Sequence, residues 1–235
     1  MTCWALLAVK PPHLGKSRLA SVLSGAQRER LIRVMLARVL DALDAAEEID
    51  QIAVVTPATE LLPRGVIALD DPGGGLNHAL GAGRRALIAR GADEVLVLHA
   101  DLPSLSASEI DSFVRQGRHT GLALAPDRHG HGTNAVFLAG DGDFSFRFGT
   151  SSFTRHMDEA AARAREATVI NLPGFAMDID EPADLQHFLG TEGSLLESAL
   201  GTEGSLLESP LTPRSSTRWT PRPRNFSLLH AVEHG

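Results

Sequence analysis

Trp4-Ala-Leu-Leu-Ala-Val-Lys10-Pro-Pro-His-Leu-Gly15-Lys16-Ser17-Arg18-Leu19 is an apolar run that breaks into a loop of cations. An apolar run this short, closed by a turn signal, suits a strand buried on both faces. The loop after it holds Lys10 and Lys16, the two lysines of a chain whose 22 basic residues are otherwise arginine. Lysine supplies a compact charge with rotatable donors and Arg18 a planar fork, a combination suited to a polyanion such as a nucleoside triphosphate.

Working outward, residues 3–9, 52–56, 66–69, 95–99 and 121–125 read as buried strands. Between them lie helical patterns. The clearest is Leu31, Ile32, Met35, Leu36, Val39, Leu40 and Leu43, a single apolar stripe whose reading is core packing. Residues 77–90, 106–117 and 152–165 are further helices. The alternation predicts an α/β, doubly wound, mostly parallel Rossmann-like sheet with ligands at the carboxyl ends of its strands. Residues 1–190 form the expected single domain. Residues 191–235 form an accessory tail in which Gly190–Leu200 is repeated almost unchanged as Gly201–Leu211.

The net charge of −7 argues against a nucleic-acid partner, so any anion site is local. A single cysteine, Cys3, allows no intrachain disulfide and fits a cytoplasmic protein. The amino-terminal apolar run stops at Lys10, too short for a membrane span, and it lacks the basic start of a signal peptide.

The cationic loop approaches a Walker A motif through Gly15-Lys16-Ser17. The motif's first glycine would fall at Lys10, and Pro11 and Pro12 remove amide donors that a phosphate cradle uses. A looser loop that meets phosphates through side chains fits better; a P-loop phosphotransferase is the rival reading.

Asp101 follows the strand 95–99, where a carboxylate faces the ligand crevice and suits magnesium together with substrate phosphates. The alternative, capping of helix 106–117, is open equally to Ser104, Ser106 or Ser108. In Met177-Asp178-Ile179-Asp180-Glu181-Pro182, Asp178 and Asp180 point the same way along an extended segment, so one or both could join Asp101 at the ion. Capping competes for Asp180, and solvation for Asp184. Gly73, Gly74 and Gly75 before a helix permit close backbone approach to a ligand, and Asn77 suits a base edge or a ribose. Gly149 through Ser152 set glycine and hydroxyls at a helix start, a ready anion site. The histidines read as polar neighbours, and Phe144, Phe146 and Phe148 as packing.

Taken in order, Val9-Lys10, Gly15 through Ala20, Gly75-Leu76-Asn77, Ala100 through Pro103, Pro126-Asp127-Arg128, Gly132-Thr133-Asn134, Phe148-Gly149 with Ser152-Phe153, Arg155-His156 and Asp178-Ile179-Asp180 resemble one known group. It is the MobA-like nucleotidyltransferases, and within them the phospho-acid guanylyltransferases of coenzyme F(420) biosynthesis. The resemblance implies a fold of the nucleotide-diphospho-sugar transferase type and a GTP- and magnesium-dependent enzyme. Its acceptor would be phosphoenolpyruvate, 2-phospho-L-lactate or 3-phospho-D-glycerate. Lys10, Gly15, Lys16, Arg18, Gly75 and Asn77 would match the nucleotide contacts, with Lys16, Arg18 and Asp101 catalytic. Asp101 with Asp178 or Asp180 would match the metal ligands, and Thr133, Gly149 and Ser152 the acceptor contacts. His131 stands where members often carry an acidic residue. The oligomeric state is left open, a homodimer among the options.

Overall fold

The computed structural model describes residues 1–190, so the duplicated tail lies outside the described residues. Seven strands build one sheet: β1 (Cys3–Ala8), β2 (Gln51–Val55), β3 (Ile67–Leu69), β4 (Glu94–Leu98), β5 (Leu122–Pro126), β6 (Thr133–Ala139) and β7 (Thr168–Val169). Their order across the sheet is β3-β2-β1-β4-β6-β5-β7. Pairings are parallel throughout except that β6 runs antiparallel to both β4 and β5. The doubly wound, mostly parallel expectation stands. The antiparallel β6 is new: its apolar Ala135–Leu138 run forms a strand that the sequence reading passed over.

Helices α1 (Gly25–Ala45), α2 (Leu76–Ala89), α3 (Ala107–Gly117), α4 (Ser152–Ala162) and the single turn α5 (Pro173–Ala176) cover the sheet, and residues 182–190 are helical as well. Strand side chains alternate between two cores because the pleat has a period of two. Ala5, Leu7, Leu96 and Leu98 enter the core that contains Phe113, Phe137 and Phe175. Leu6, Val95 and Val97 enter the opposite one, with Phe144, Phe146 and Phe148. Those three phenylalanines are buried, so they pack rather than offer a stacking platform. The helical stripe from Leu31 to Leu43 is buried as expected, apart from the partly exposed Ile32.

A third, smaller cluster matters most for the site. Leu19 and Leu23, just beyond the cationic loop, pack with Leu31 and Met35 of α1 and with Ile179, Leu185 and Phe188. Burial of each large aliphatic or aromatic side chain contributes about 1.5–3 kcal/mol. This cluster therefore ties the amino-terminal loop to a segment some 160 residues later in the chain. The start of α3 is capped by Ser106, whose hydroxyl accepts the Glu109 N–H while Glu109 returns the bond to the Ser106 N–H. Asp101 is thereby free of capping duty.

Candidate active site

The carboxyl ends of β1 and β4 open onto a cleft of about 260 Å³ whose wall includes Lys10, Gly15, Lys16, Gly75, His99 and Asp101. The cationic loop leaves β1 through two short 3-10 turns, 12–14 and 17–21, and α1 begins only at Gly25 behind a Ser24 cap. A P-loop runs directly from strand into helix around the phosphates, and this chain does not. The Walker A resemblance and the phosphotransferase reading fail on that geometry. Gly15 packs closely on α1: at an ordinary φ of −94°, a Cβ there would lie 2.6 Å from the tip of the Ile32 side chain, which would have to move.

Lys16 adopts a left-handed backbone, φ 54°. This conformation costs a non-glycine residue about 1–2 kcal/mol. It aims the ammonium, on a side chain only 9% exposed, between two carboxylates. Lys16 Nζ donates to Asp101 Oδ2 and, at 2.6 Å, to Asp180 Oδ1. Burial pulls the lysine pKa down, but the charges of Asp101 and Asp180 outweigh it and hold it above the ordinary value. Burial likewise pushes Asp101 up, and Lys16 and then His99 bring it below the usual carboxylate range.

The expected carboxylates gather here because the Ile179 N–H bonds to the Asp101 carbonyl at 3.3 Å, setting Asp178 and Asp180 on either side of that link. Asp178 Oδ1 accepts from Asn134 Nδ2 at 3.2 Å; burial, then the neighbouring Asp101 charge, raises its pKa. Asp180 does not cap the 182–190 helix. Asp184 does, accepting the Asp180 and Glu181 N–H groups at 3.0 and 2.8 Å while pairing with Arg128. The solvated role expected for Asp184 is therefore wrong: it is buried, and by capping the helix it frees Asp180 for Lys16. Arg18 lies near the same segment, 3.7 Å from Glu181 across solvent.

Among the described residues, no three His, Cys, Asp or Glu side chains are already gathered at ion-binding distance. The donors nonetheless suit a hard cation. All are oxygens, and Asp101 Oδ1 is buried without a hydrogen-bond partner; His99 Nδ1 is 3.8 Å away, too far to serve.

Asn77 departs from expectation. Its amide donates to the Phe148 carbonyl at 3.0 Å and accepts the Phe148 N–H at 2.7 Å. Both ends of the group expected to read a base are thus engaged with backbone, and α2 is joined to the 148–152 turn. Gly73, Gly74 and Gly75 all have positive φ, a run that favours glycine. Gly75 stands at the start of α2 without a side-chain cap, where the helix meets the cleft.

Thr133, Gly149 and Ser152 do come together. The Thr133 N–H donates to Ser152 Oγ at 2.8 Å, and the Ser152 N–H donates to the Gly149 carbonyl at 3.0 Å. Sequence reasoning missed what supports them. His156 is fully buried, accepts the Arg147 N–H on Nε2 at 2.8 Å, and so presents a protonated Nδ1 3.0 Å from Thr133 Oγ1. Burial, then the Arg155 charge, lowers its pKa to about 4. The available signal was the spacing of Ser152 and His156, one helical turn apart on one face.

Comparison with known proteins identifies the family and the fold. A family model described as "Guanylyl transferase CofC like" matches residues 3–195. The phosphoenolpyruvate guanylyltransferase of Sphaerobacter thermophilus is 43% identical over 194 residues, covering 81% of this chain and 94% of that protein. The phosphoenolpyruvate guanylyltransferase of Rubrobacter xylanophilus is 34% identical, covering 82% and 96%. Among solved structures, a nucleotide-diphospho-sugar transferase from Desulfovibrio desulfuricans superposes with a TM-score of 0.69 at 18% identity, covering 85% of this chain and 97% of that one. The 4-diphosphocytidyl-2C-methyl-D-erythritol synthase of Anaerococcus prevotii follows at 0.57 and 10%, covering 82% and 98%. At those identities the structures establish the shared fold. No described helix is long and apolar enough to cross a membrane.

Proposed function

The chain belongs to the family of CofC-like guanylyl transferases, and from that membership we propose that it moves GMP from GTP onto phosphoenolpyruvate, releasing pyrophosphate, as a step of coenzyme F(420) biosynthesis. The observation that carries the reading is the buried Lys16 ammonium set between Asp101 and Asp180 at the mouth of β1 and β4. Such a cluster manages strong negative charge, and both reactants bring it.

In the reaction a phosphate oxygen of the acceptor attacks the α-phosphorus of GTP. The bond from that phosphorus to the β-bridging oxygen breaks, and the electron pair leaves with pyrophosphate. The attacking oxygen is already ionised near neutral pH, so no general base is needed. The obstacle is repulsion between two polyanions, which positioning and electrostatic stabilisation overcome. Lys10 and Lys16 line the cleft and Arg18 belongs to the same loop; these three cations neutralise the triphosphate. Gly75 and the uncapped start of α2 hold the nucleotide's far side. Asp101, with Asp178 or Asp180, would hold magnesium, which would supply charge neutralisation at the phosphates.

Thr133, Gly149 and Ser152 form the acceptor wall, and His156 keeps Thr133 in place. Asn77 joins helix α2, on the nucleotide side, to Phe148, next to Gly149. Phosphoenolpyruvate is preferred among the phospho-acids because relatives up to 43% identical carry that specificity in their names. The test is an acceptor screen with GTP, measuring pyrophosphate release and product mass. Phosphoenolpyruvate is expected to outpace 2-phospho-L-lactate and 3-phospho-D-glycerate. Turnover confined to a sugar phosphate, or transfer of the terminal phosphoryl group, would overturn the assignment.

A further inference from the structure

We infer that Lys16 is a resident counter-ion of the carboxylate cluster, holding Asp101 and Asp180 against a divalent cation until a nucleotide offers the ammonium other partners. The inference rests on the guanylyltransferase reading of the site and concerns the order in which that site fills.

The link between Ile179 and Asp101 sets Asp178 and Asp180 on either side of it, near enough for the charges of Asp101 and Asp180 to act on Asp178. Unneutralised, the three carboxylates would repel one another at short range in a partly buried setting. One ammonium satisfies two of them, with both contacts at hydrogen-bond range. The same two carboxylates are among the proposed ligands of the metal. Lys16 and a divalent ion therefore compete for the same charge, and the ammonium must leave at least one carboxylate before the ion gains both.

A triphosphate resolves the conflict. It brings anionic oxygens that Lys16 can accept as partners while the carboxylates pass to the ion. The loop suits such an exchange. Leu19, fully buried, anchors the turn after Lys16, and the Leu19 N–H bonds to the Lys16 carbonyl at 3.0 Å. The backbone stays fixed while the four-carbon side chain swings. The empty enzyme would thus bind metal poorly by itself, and nucleotide and metal would bind with positive coupling.

Two measurements on the full chain test this, neither using turnover. First, Mn2+ is titrated into nucleotide-free protein and the free ion is followed by electron paramagnetic resonance. Lys16→Met is expected to bind Mn2+ at least about tenfold tighter than wild type, because the competing charge is gone. Lys16→Arg, which keeps the charge, is expected to stay within about threefold of wild type. Second, because Lys10 and Lys16 are the only lysines, acetylation followed by peptide mass reads each amine separately. In wild type Lys10 is expected to react quickly and Lys16 slowly; Asp101→Asn is expected to speed labelling of Lys16 about tenfold by removing one partner. This readout does not depend on a folded Lys16→Met protein. Mn2+ affinity unchanged in Lys16→Met, or Lys16 labelling as fast as Lys10 in wild type, would overturn the inference. Failure of the acceptor screen would instead remove the functional reading and leave both of these results intact.

Discussion

Two buried ion networks sit at opposite ends of β4, and they are built differently. At the amino end, Glu94 is 1% exposed and receives a forked pair of bonds from Arg118, which also bonds to Glu48. Those bonds, Glu94 first, push the guanidinium pKa up, and Glu48, despite partial burial, is held below its ordinary range by Arg118. Both oxygens of Glu94 are bonded. At the carboxyl end, Lys16 faces Asp101 and Asp180 from a left-handed backbone, Asp101 Oδ1 has no partner, and Asp178 adds a like charge. The first network is finished and holds β4 to the end of α3. The second is under-satisfied and strained, the condition of a site waiting for ligands. The contrast separates structural from functional charge without reference to motif.

The comparison breaks most visibly at Asp101. Asp101→Asn should lower the rate of pyrophosphate release by about 1,000-fold or more. Its melting temperature should move by no more than about 4 °C, since Lys16 keeps Asp180 as an anionic partner and one of the mutually repelling carboxylates is neutralised. A strongly destabilised variant that keeps its rate per folded molecule would reverse the roles of the two ends.

The mirror experiment is Glu94→Gln. Arg118 would lose one of its two anionic partners and keep Glu48, and urea denaturation should report a loss of about 1–3 kcal/mol. The rate per folded molecule should stay within about twofold of wild type, because Glu94 lies at the far end of the strand from the cleft.

A smaller effect sharpens the picture through pH. His156 is held neutral, its pKa lowered to about 4 from 6.5. Below pH 6.5 the unfolded chain takes up a proton that the folded chain refuses, so stability falls as pH falls from about 6.5 to about 4. The full loss is about 3 kcal/mol. The lowered carboxyls of Glu48 and Glu159 act around and below their ordinary value of 4.5, and the raised carboxyls of Asp178 and Asp41 work in the opposite direction, so the histidine's share is read as the difference between wild type and His156→Asn. Denaturation at pH 7 and pH 5 should show this slope in wild type and a flatter one in His156→Asn. Equal slopes would mean that the fold does not hold His156 neutral.

Much of the site could be read from local pattern. Lys10, Lys16 and Asp101 stood out because each follows an apolar strand, and a strand's carboxyl end in a parallel sheet is where ligands bind. Asp180 and Asp184 were harder. Both sit near a helix start, and a sequence alone does not say which carboxylate caps and which faces the cleft. Packing of Ile179 and Leu185 against Leu19 set that choice by fixing the rotation of the segment. The bonds of Asn77 to the Phe148 backbone were illegible for a similar reason: that partner lies 71 residues away. The Ala135–Leu138 run of β6 is as apolar as the runs read as strands; what no local run encodes is its antiparallel direction, which its pairing with β4 and β5 sets.

By itself, the sequence determined the alternation of strands and helices, the two faces of the sheet and the family to which the chain belongs. These follow from short-range periodicity and ordered motifs. Only the tertiary structure decided which charges meet, which polar groups are already engaged and which oxygen is left unpaired. Those outcomes depend on long-range contacts such as Leu19 with Ile179 and Lys16 with Asp180, which bring together groups that no local pattern relates.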